Sequence, residues 1–242
     1  LVMTRWRDDY WLYINGNQQF SSYDEERYHE PLVHPALTLV GNREEILILG
    51  GGDGLAVREV LKYPDVTHVT LVDLDPAMTE LASSHSVIVQ LNNNALKDPR
   101  VEIVNADAFA FLQDVHHLFD VIIIDLPDPN SVELARLYSL NFYRLCRKHL
   151  KRGGAIVTQA SSPFFARKAF VCIYKTLQAA GFSLLAYHNH IPTMGEWGFV
   201  LGVDEELMSH TDLKETVVRL SFGQIPTRFL NQDAMISMAH FG

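Results

Sequence analysis

Five aspartates in this chain stand where a polypeptide can do chemistry on a cation. Asp53 lies inside the run Gly50-Gly51-Gly52-Asp53-Gly54, and Asp73 closes an apolar segment about 20 residues later. Asp107 follows the next such segment, and Asp125 and Asp128 bracket Leu126-Pro127 at the end of a fourth. Glycines such as Gly50 and Gly52 let a ligand approach the backbone closely. A dinucleotide fingerprint would need glycine at position 55 or 57, which are Leu55 and Val57. A carboxylate in the glycine loop opposes a phosphate but attracts an ammonium or a sulfonium. Asp73 is placed to accept both hydroxyls of a ribose, and Asp107 to receive the exocyclic amine of adenine, so the three loops describe a nucleoside pocket without a pyrophosphate clamp. Each acid has a structural competitor. Asp53 and Asp107 would serve as helix N-caps, as would Asp75 before Pro76.

The stiff loop Asp125-Leu126-Pro127-Asp128-Pro129 asks for a different task. An alkylamine is protonated near neutral pH and must shed a proton before it attacks carbon. One carboxylate can take that proton while another anchors a distant ammonium. Asp125 is assigned as proton acceptor and orienter of the amine, and Asp128 as an acceptor-side hydrogen-bonding partner. Charges this close titrate as a coupled pair, and Asp-Pro pairs also make ordinary turns.

The elements that must carry these residues are legible from periodicity. Strands are predicted near residues 45–49, 69–73, 101–105, 121–125, 155–159, 184–188 and 198–202, and helices near 55–62, 76–83, 108–114, 134–150 and 166–180. This alternation predicts an α/β fold, a doubly wound and mostly parallel sheet that binds ligands beyond the carboxyl ends of its strands. Asn15-Gly16 within an aromatic segment predicts a small N-terminal β-hairpin, and its Trp6, Tyr10, Trp11 and Tyr13 are read as hairpin core or an oligomer contact in preference to the lining of a site. His34-Pro35 is read as a break. The expected division is residues 1–35 as hairpin, 36–204 as catalytic domain and 205–242 as a helical extension, with a capped helix at 211–220.

Composition narrows the classes. A chain of 242 residues with 48% hydrophobic and 20% charged residues suits one domain with a substantial core. A net charge of -9 with no Lys/Arg run argues against nucleic acid as a partner. Cys146 and Cys172 sit in apolar periodic stretches and read as buried reduced thiols, consistent with a cytoplasmic location. No apolar run is long enough to span a bilayer. His188 with His190, and His116 with His117, lack a third ligand, so no metal is expected. Glu196 is read either as an extra acceptor carboxylate or as an exposed turn residue.

At Gly50-Gly51-Gly52-Asp53-Gly54 and the following Arg58-Glu59-Val60-Leu61, the sequence resembles the spermidine synthase family. The likeness continues through Asn15-Gly16-Asn17-Gln18-Gln19, Asp24-Glu25-Glu26-Arg27-Tyr28-His29-Glu30 and His34-Pro35, and at Asp73, Asp107, Asp125, Asp128, Pro129 and Gln159. It implies a Rossmann-like sheet of seven strands, of the kind used by S-adenosylmethionine-dependent transferases. It also implies aminopropyl transfer from decarboxylated S-adenosylmethionine to a putrescine-like amine. By resemblance, Gln19, His29, Asp53, Asp73 and Asp107 contact that co-substrate, with Gly50 and Gly52 in its loop. Tyr28, Asp128 and Gln159 face the acceptor, and Asp125 is the catalytic group. A homodimer is expected.

The family's Ser or Thr after the catalytic aspartate is Leu126-Pro127 here, its Gln-x-Glu is Gln159-Ala160-Ser161, and its Pro-Thr-Tyr loop shortens to Pro192-Thr193-Met194-Gly195-Glu196-Trp197-Gly198-Phe199. These departures leave the acceptor amine open. They resemble bacterial relatives with an N-terminal membrane domain, so the start at Leu1-Val2-Met3 is read as that of a cytoplasmic part tethered to a membrane in a longer protein. A small-molecule methyltransferase and a non-catalytic polyamine sensor are the alternatives.

Overall fold

The computed structural model describes residues 1–241. Asn15 and Gly16 both take positive φ, 51° and 84°, the geometry that a tight two-residue hairpin requires. They join β2 (Asp9–Ile14) to β3 (Asn17–Ser21). A further strand, β1 (Val2–Trp6), pairs with β2, so the expected hairpin is a three-stranded antiparallel sheet. It is anchored by Leu12 and Phe20, both fully buried, and not by the aromatic stripe. Alternation along β2 puts Trp11 and Tyr13 on the face opposite Leu12, and Trp6 is 67% exposed.

The seven expected strands all form. They are β4 (Glu45–Gly50), β5 (His68–Asp73), β6 (Val101–Asn105), β7 (Phe119–Asp125), β8 (Leu150–Gln159), β9 (Phe182–Ile191) and β10 (Gly195–Asp204). Their order is β6-β5-β4-β7-β8-β10-β9, with β10 antiparallel to both neighbours and the rest parallel. Along β4, Ile46 and Ile48 enter one core while Leu47 and Leu49 enter the other. A strand apolar on both faces needs helical cover on both. The first core is covered by α1 (Glu26–Leu39) and α2 (Leu55–Val60). After α3 (Pro76–Ser84) and α4 (Ser86–Leu91), the second core is covered by α5 (Ala108–Asp114) and, beyond α6 (Val132–Ala135), by α7 (Leu140–Lys148) and α8 (Arg167–Ala179).

Two local expectations change. The single helix read over residues 134–150 is split, because the Ser139 hydroxyl accepts the Phe142 amide and starts α7 as a new helix. Cys172 lies on the exposed face of α8, and only Cys146 is buried. Residues beyond β10 form α9 (His210–Val217), capped by Ser209, and α10 (Gln232–Met238). Among the described residues no helix is long and apolar enough to cross a membrane.

The expected break at His34-Pro35 does not occur, so a boundary at residue 35 falls inside a helix. Helix α1 runs through both Pro31 and Pro35. A proline in a helix leaves the carbonyl four residues earlier without its donor, here those of Arg27 and Pro31. Strand β9 supplies both: Asn189 Nδ2 donates to the Arg27 carbonyl at 2.7 Å, and the Tyr187 hydroxyl to that of Pro31 at 2.8 Å. The two prolines thereby become docking points for the sheet. Tyr187→Phe leaves the buried Pro31 carbonyl unpaired, and urea unfolding should show a loss of about 1 to 3 kcal/mol.

Candidate active site

The sheet reverses its winding between β4 and β7, and crevices of this kind collect ligands in doubly wound folds. There Gly50 pairs in register with Asp125. A Cβ on Gly50 would lie 2.1 Å from the Asp125 carbonyl oxygen, so only glycine lets the two strand ends meet. Gly52 is constrained similarly by Asp73, whose Oδ2 would be 2.6 Å from an added Cβ and already accepts the Gly52 amide at 2.9 Å. The other oxygen of Asp73 accepts the amide of Asp75. Asp75 in turn caps α3, as expected.

Helix α1 brings two further groups to this crevice. The Tyr28 hydroxyl donates to Asp125 Oδ1 at 2.5 Å, and its ring meets Phe199 and Trp197 edge-on with centroids 5.5 and 6.1 Å away. Trp197 Nε1 is buried there without a hydrogen-bond partner. One residue on, His29 donates from Nδ1 to the carbonyl and carboxylate of Glu25, each at 2.9 Å. Glu25 also receives two guanidinium bonds from Arg58, at 2.8 and 2.9 Å.

The electrostatics follow from this packing. Burial alone would lower the His29 pKa, but the Glu25 bond and charge, with Asp53 and Asp125 nearby, raise it to about 9. Burial opposes ionisation of Glu25, yet His29 and Arg58 outweigh it and hold the carboxyl at about 2. Asp53 is pushed up to about 6 by burial, with His29 restraining the shift and Asp125 adding to it. Burial likewise raises Asp73 and Asp125, the latter against the pull of His29 and the Tyr28 bond. The result is a cluster of mutually repelling carboxylates with one imidazolium among them.

On the other side of Asp125 a second set of bonds shapes the loop. Asp128 accepts from Ser161 Oγ at 3.1 Å and from Gln159 Nε2 at 3.3 Å. Gln159 Nε2 also reaches the Leu126 carbonyl at 2.6 Å and the Tyr138 hydroxyl at 2.7 Å, while its Oε1 accepts the Ser161 amide. Every polar atom of Gln159 is engaged by protein, so it holds the loop in place of offering a free group to a ligand. Ser161 adopts φ 60°, the left-handed region, to make these bonds.

Two expected contacts are placed differently. Asp107 sits at the tip of β6, but Oδ1 caps α5 through the Phe109 and Ala110 amides and Oδ2 pairs with Arg136. Gln19 lies at a bulge in β3, bonded only to the Asn17 carbonyl, while its neighbour Gln18 is fastened to Thr193. Asp53 feels the charges of His29 and Asp125, and its Oδ1 accepts the Leu55 amide at 2.9 Å, while the N-cap position of α2 itself falls to Gly54. The carboxylate of Glu196 is occupied by His188 and His190 at 3.0 and 3.1 Å. Among the described residues no set of His, Cys, Asp or Glu side chains is arranged to hold a metal ion.

The family model described as the Spermine/spermidine synthase domain matches residues 25–215. The chain belongs to the spermine/spermidine synthase family. It is 49% identical over 241 residues to polyamine aminopropyltransferase 2 of Ralstonia nicotianae, which covers all of this chain and 46% of that one. It is 46% identical over 242 residues to the polyamine aminopropyltransferase of Oceanobacillus iheyensis, again with 46% of that protein covered. The chain thus spans about half the length of the curated relatives it matches. A crystal structure of spermidine synthase with the transition state analogue AdoDATO superposes with a TM-score of 0.85 at 26% identity, covering 96% of this chain and 78% of that one. Spermidine synthase from Thermotoga maritima gives 0.83 at 26% identity, with coverages of 96% and 77%.

Within this spermidine synthase-type site, Glu25, Arg58, Tyr138 and Ser161 are the participants that sequence reasoning missed. Glu25 had a signal, because it precedes His29 by four residues on one helix face; Ser161 had one as the residue standing where the family carries a glutamate, and Tyr138 had none. The stability conferred by charging His29 is whole below about pH 6.5 and is lost as pH rises through about 9. That conferred by Glu25 is whole above about pH 4.5 and lost as pH falls through about 2. Glu25→Gln should therefore drop the His29 titration midpoint, followed by NMR, by about two units or more.

Proposed function

We propose that this chain catalyses transfer of an aminopropyl group from decarboxylated S-adenosylmethionine to a diamine of the putrescine type, releasing methylthioadenosine. The observation that carries the reading is the hydrogen bond from Tyr28 to Asp125 inside a crevice also edged by Asp53 and Asp73. The polyamine aminopropyltransferases and spermidine synthases it resembles support the same activity.

The donor, when bound, supplies a sulfonium whose adjacent methylene carbon is open to attack and whose departure leaves a neutral thioether. The residues provide the rest. Asp73 keeps lone pairs beyond its two backbone amides and can hold a ribose. Asp53, already strained by burial, gains from a nearby cation. Tyr28 fixes one oxygen of Asp125 and leaves the other to orient the amine and accept its proton as nitrogen forms its bond to carbon and the carbon–sulfur bond breaks. The raised pKa of Asp125 suits a base. Asp128, held by Gln159 and Ser161, stands further along the loop for the acceptor's remote ammonium. His29 faces Asp53 and Asp125 as a cation and limits the repulsion between them.

The expected homodimer, cytoplasmic location and membrane tether belong to the same proposal for the whole protein. Asp125→Asn should lower turnover at least about a hundredfold while the affinity for decarboxylated S-adenosylmethionine changes by less than about threefold, measured with a panel of diamines and by calorimetry. Unchanged turnover would remove Asp125 from its role. Methyl transfer from intact S-adenosylmethionine would favour a methyltransferase instead.

A further inference from the structure

Glu30 is 1% exposed and carries a carboxylate that no cationic side chain contacts within hydrogen-bonding distance. A buried anion must be solvated by something. Three successive backbone amides do so: Arg228 at 2.6 Å and Leu230 at 2.7 Å, one on each carboxylate oxygen, with Phe229 at 2.9 Å alongside Leu230. These residues lie beyond the part of the chain that the family model matches, which ends at residue 215. The segment is tied down on its flanks as well. The Lys62 ammonium donates to the Pro226 carbonyl at 2.8 Å, Arg27 stacks over the Phe229 ring at 4.7 Å, and Arg228 lies 3.5 Å from Glu26. The Thr227 hydroxyl closes the turn on the Leu230 carbonyl at 2.7 Å.

We infer that residues 226–230 are a strap that positions Tyr28 through Glu30. Two residues apart on a helix, the side chains of Tyr28 and Glu30 are rotated by about 200° and face opposite ways. The strap therefore grips the back of α1 while the front carries the hydroxyl bonded to Asp125. Only the first half of α1 is exposed to this pull, because Pro31 and Pro35 interrupt its internal ladder and transfer two carbonyls to β9. The amides of Tyr28 and His29 keep their bonds to the Glu25 carbonyl, but with the Arg27 and Pro31 carbonyls handed to β9 the turn also draws on side-chain anchors for its rotation. Glu25 with Arg58 is one anchor, Asn189 another, and the strap on Glu30 is the third. Glu30 is on this account a positioning residue that touches neither substrate.

This inference rests on the aminopropyl-transfer reading for its kinetic consequence, but its structural consequence can be read separately. In the full chain, Glu30→Ala should speed hydrogen exchange at the amides of Arg228, Phe229 and Leu230 and also in the turn around Tyr28. With that turn loosened, kcat should fall about tenfold while the KM for the donor stays within about twofold. Glu30→Gln keeps one acceptor oxygen but sets its NH2 against an amide donor, so it should recover only part of kcat, more than Glu30→Ala retains. Thr227→Val loosens the strap from its surface side and should give a partial kcat loss if Glu30→Ala proves too unstable to assay. Faster exchange at residues 228–230 with unchanged exchange around Tyr28 would overturn the strap, whatever the turnover. A wild-type chain that transfers no aminopropyl group would overturn the reading of the activity and leave the exchange result to decide the strap.

Discussion

The constraint around which this structure is organised is the gathering of acidic side chains at one crevice. Asp53, Asp73 and Asp125 come from the ends of neighbouring strands, each is largely enclosed, and the Asp125 charge raises the cost of ionising the other two. Left alone such a group would neutralise itself by taking up protons. Several features oppose this: amides of Gly52 and Asp75 on Asp73, the Leu55 amide on Asp53, the Tyr28 hydroxyl on Asp125, and the charged His29 between them. The charge on His29 depends in turn on Glu25, and Glu25 on Arg58. What the protein leaves uncompensated is the energetic case for a positively charged ligand.

Helix α1 is the part through which the fold serves the site. It contributes Tyr28 and His29 from a stretch interrupted by two prolines, where an ordinary helix would have satisfied its own backbone. The interruption makes the helix depend on β9 and on the segment beyond α9, so chain far from the glycine loop bears on the position of a hydroxyl beside Asp125. Conformational precision at the site is thus drawn from the edge strand β9 and from the chain beyond α9.

The sheet and the glycine loop were legible because they are local: alternating apolar runs set the strands, and Gly50 and Asp73 fall at strand ends fixed by that pattern. Strand order brings the loops of Asp53 and Asp125 together, and α1 packed across the sheet delivers Tyr28 and His29 to them. What sequence could not supply were partners that depend on side-chain placement across the fold. The engagement of Asp107 by Arg136, the saturation of Gln159 by the loop it spans, and the bulge that isolates Gln19 leave no periodic trace. The run of α1 through His34-Pro35 defied the local rule because donors more than 150 residues away repair what the prolines remove. The tail gave no chemical signal because its backbone, not its side chains, solvates Glu30.

The central claim is that enclosed carboxylates select a cationic nucleoside, and the pH dependence of binding tests it most directly. With Asp53 at about 6 in the free protein, a cation must expel a proton to pair with it at lower pH. Calorimetry should find decarboxylated S-adenosylmethionine bound about tenfold more weakly at pH 5 than at pH 7, with proton release near pH 6, while uncharged methylthioadenosine binds almost independently of pH. Equal pH profiles for the two, or no proton release on binding the sulfonium, would contradict the account.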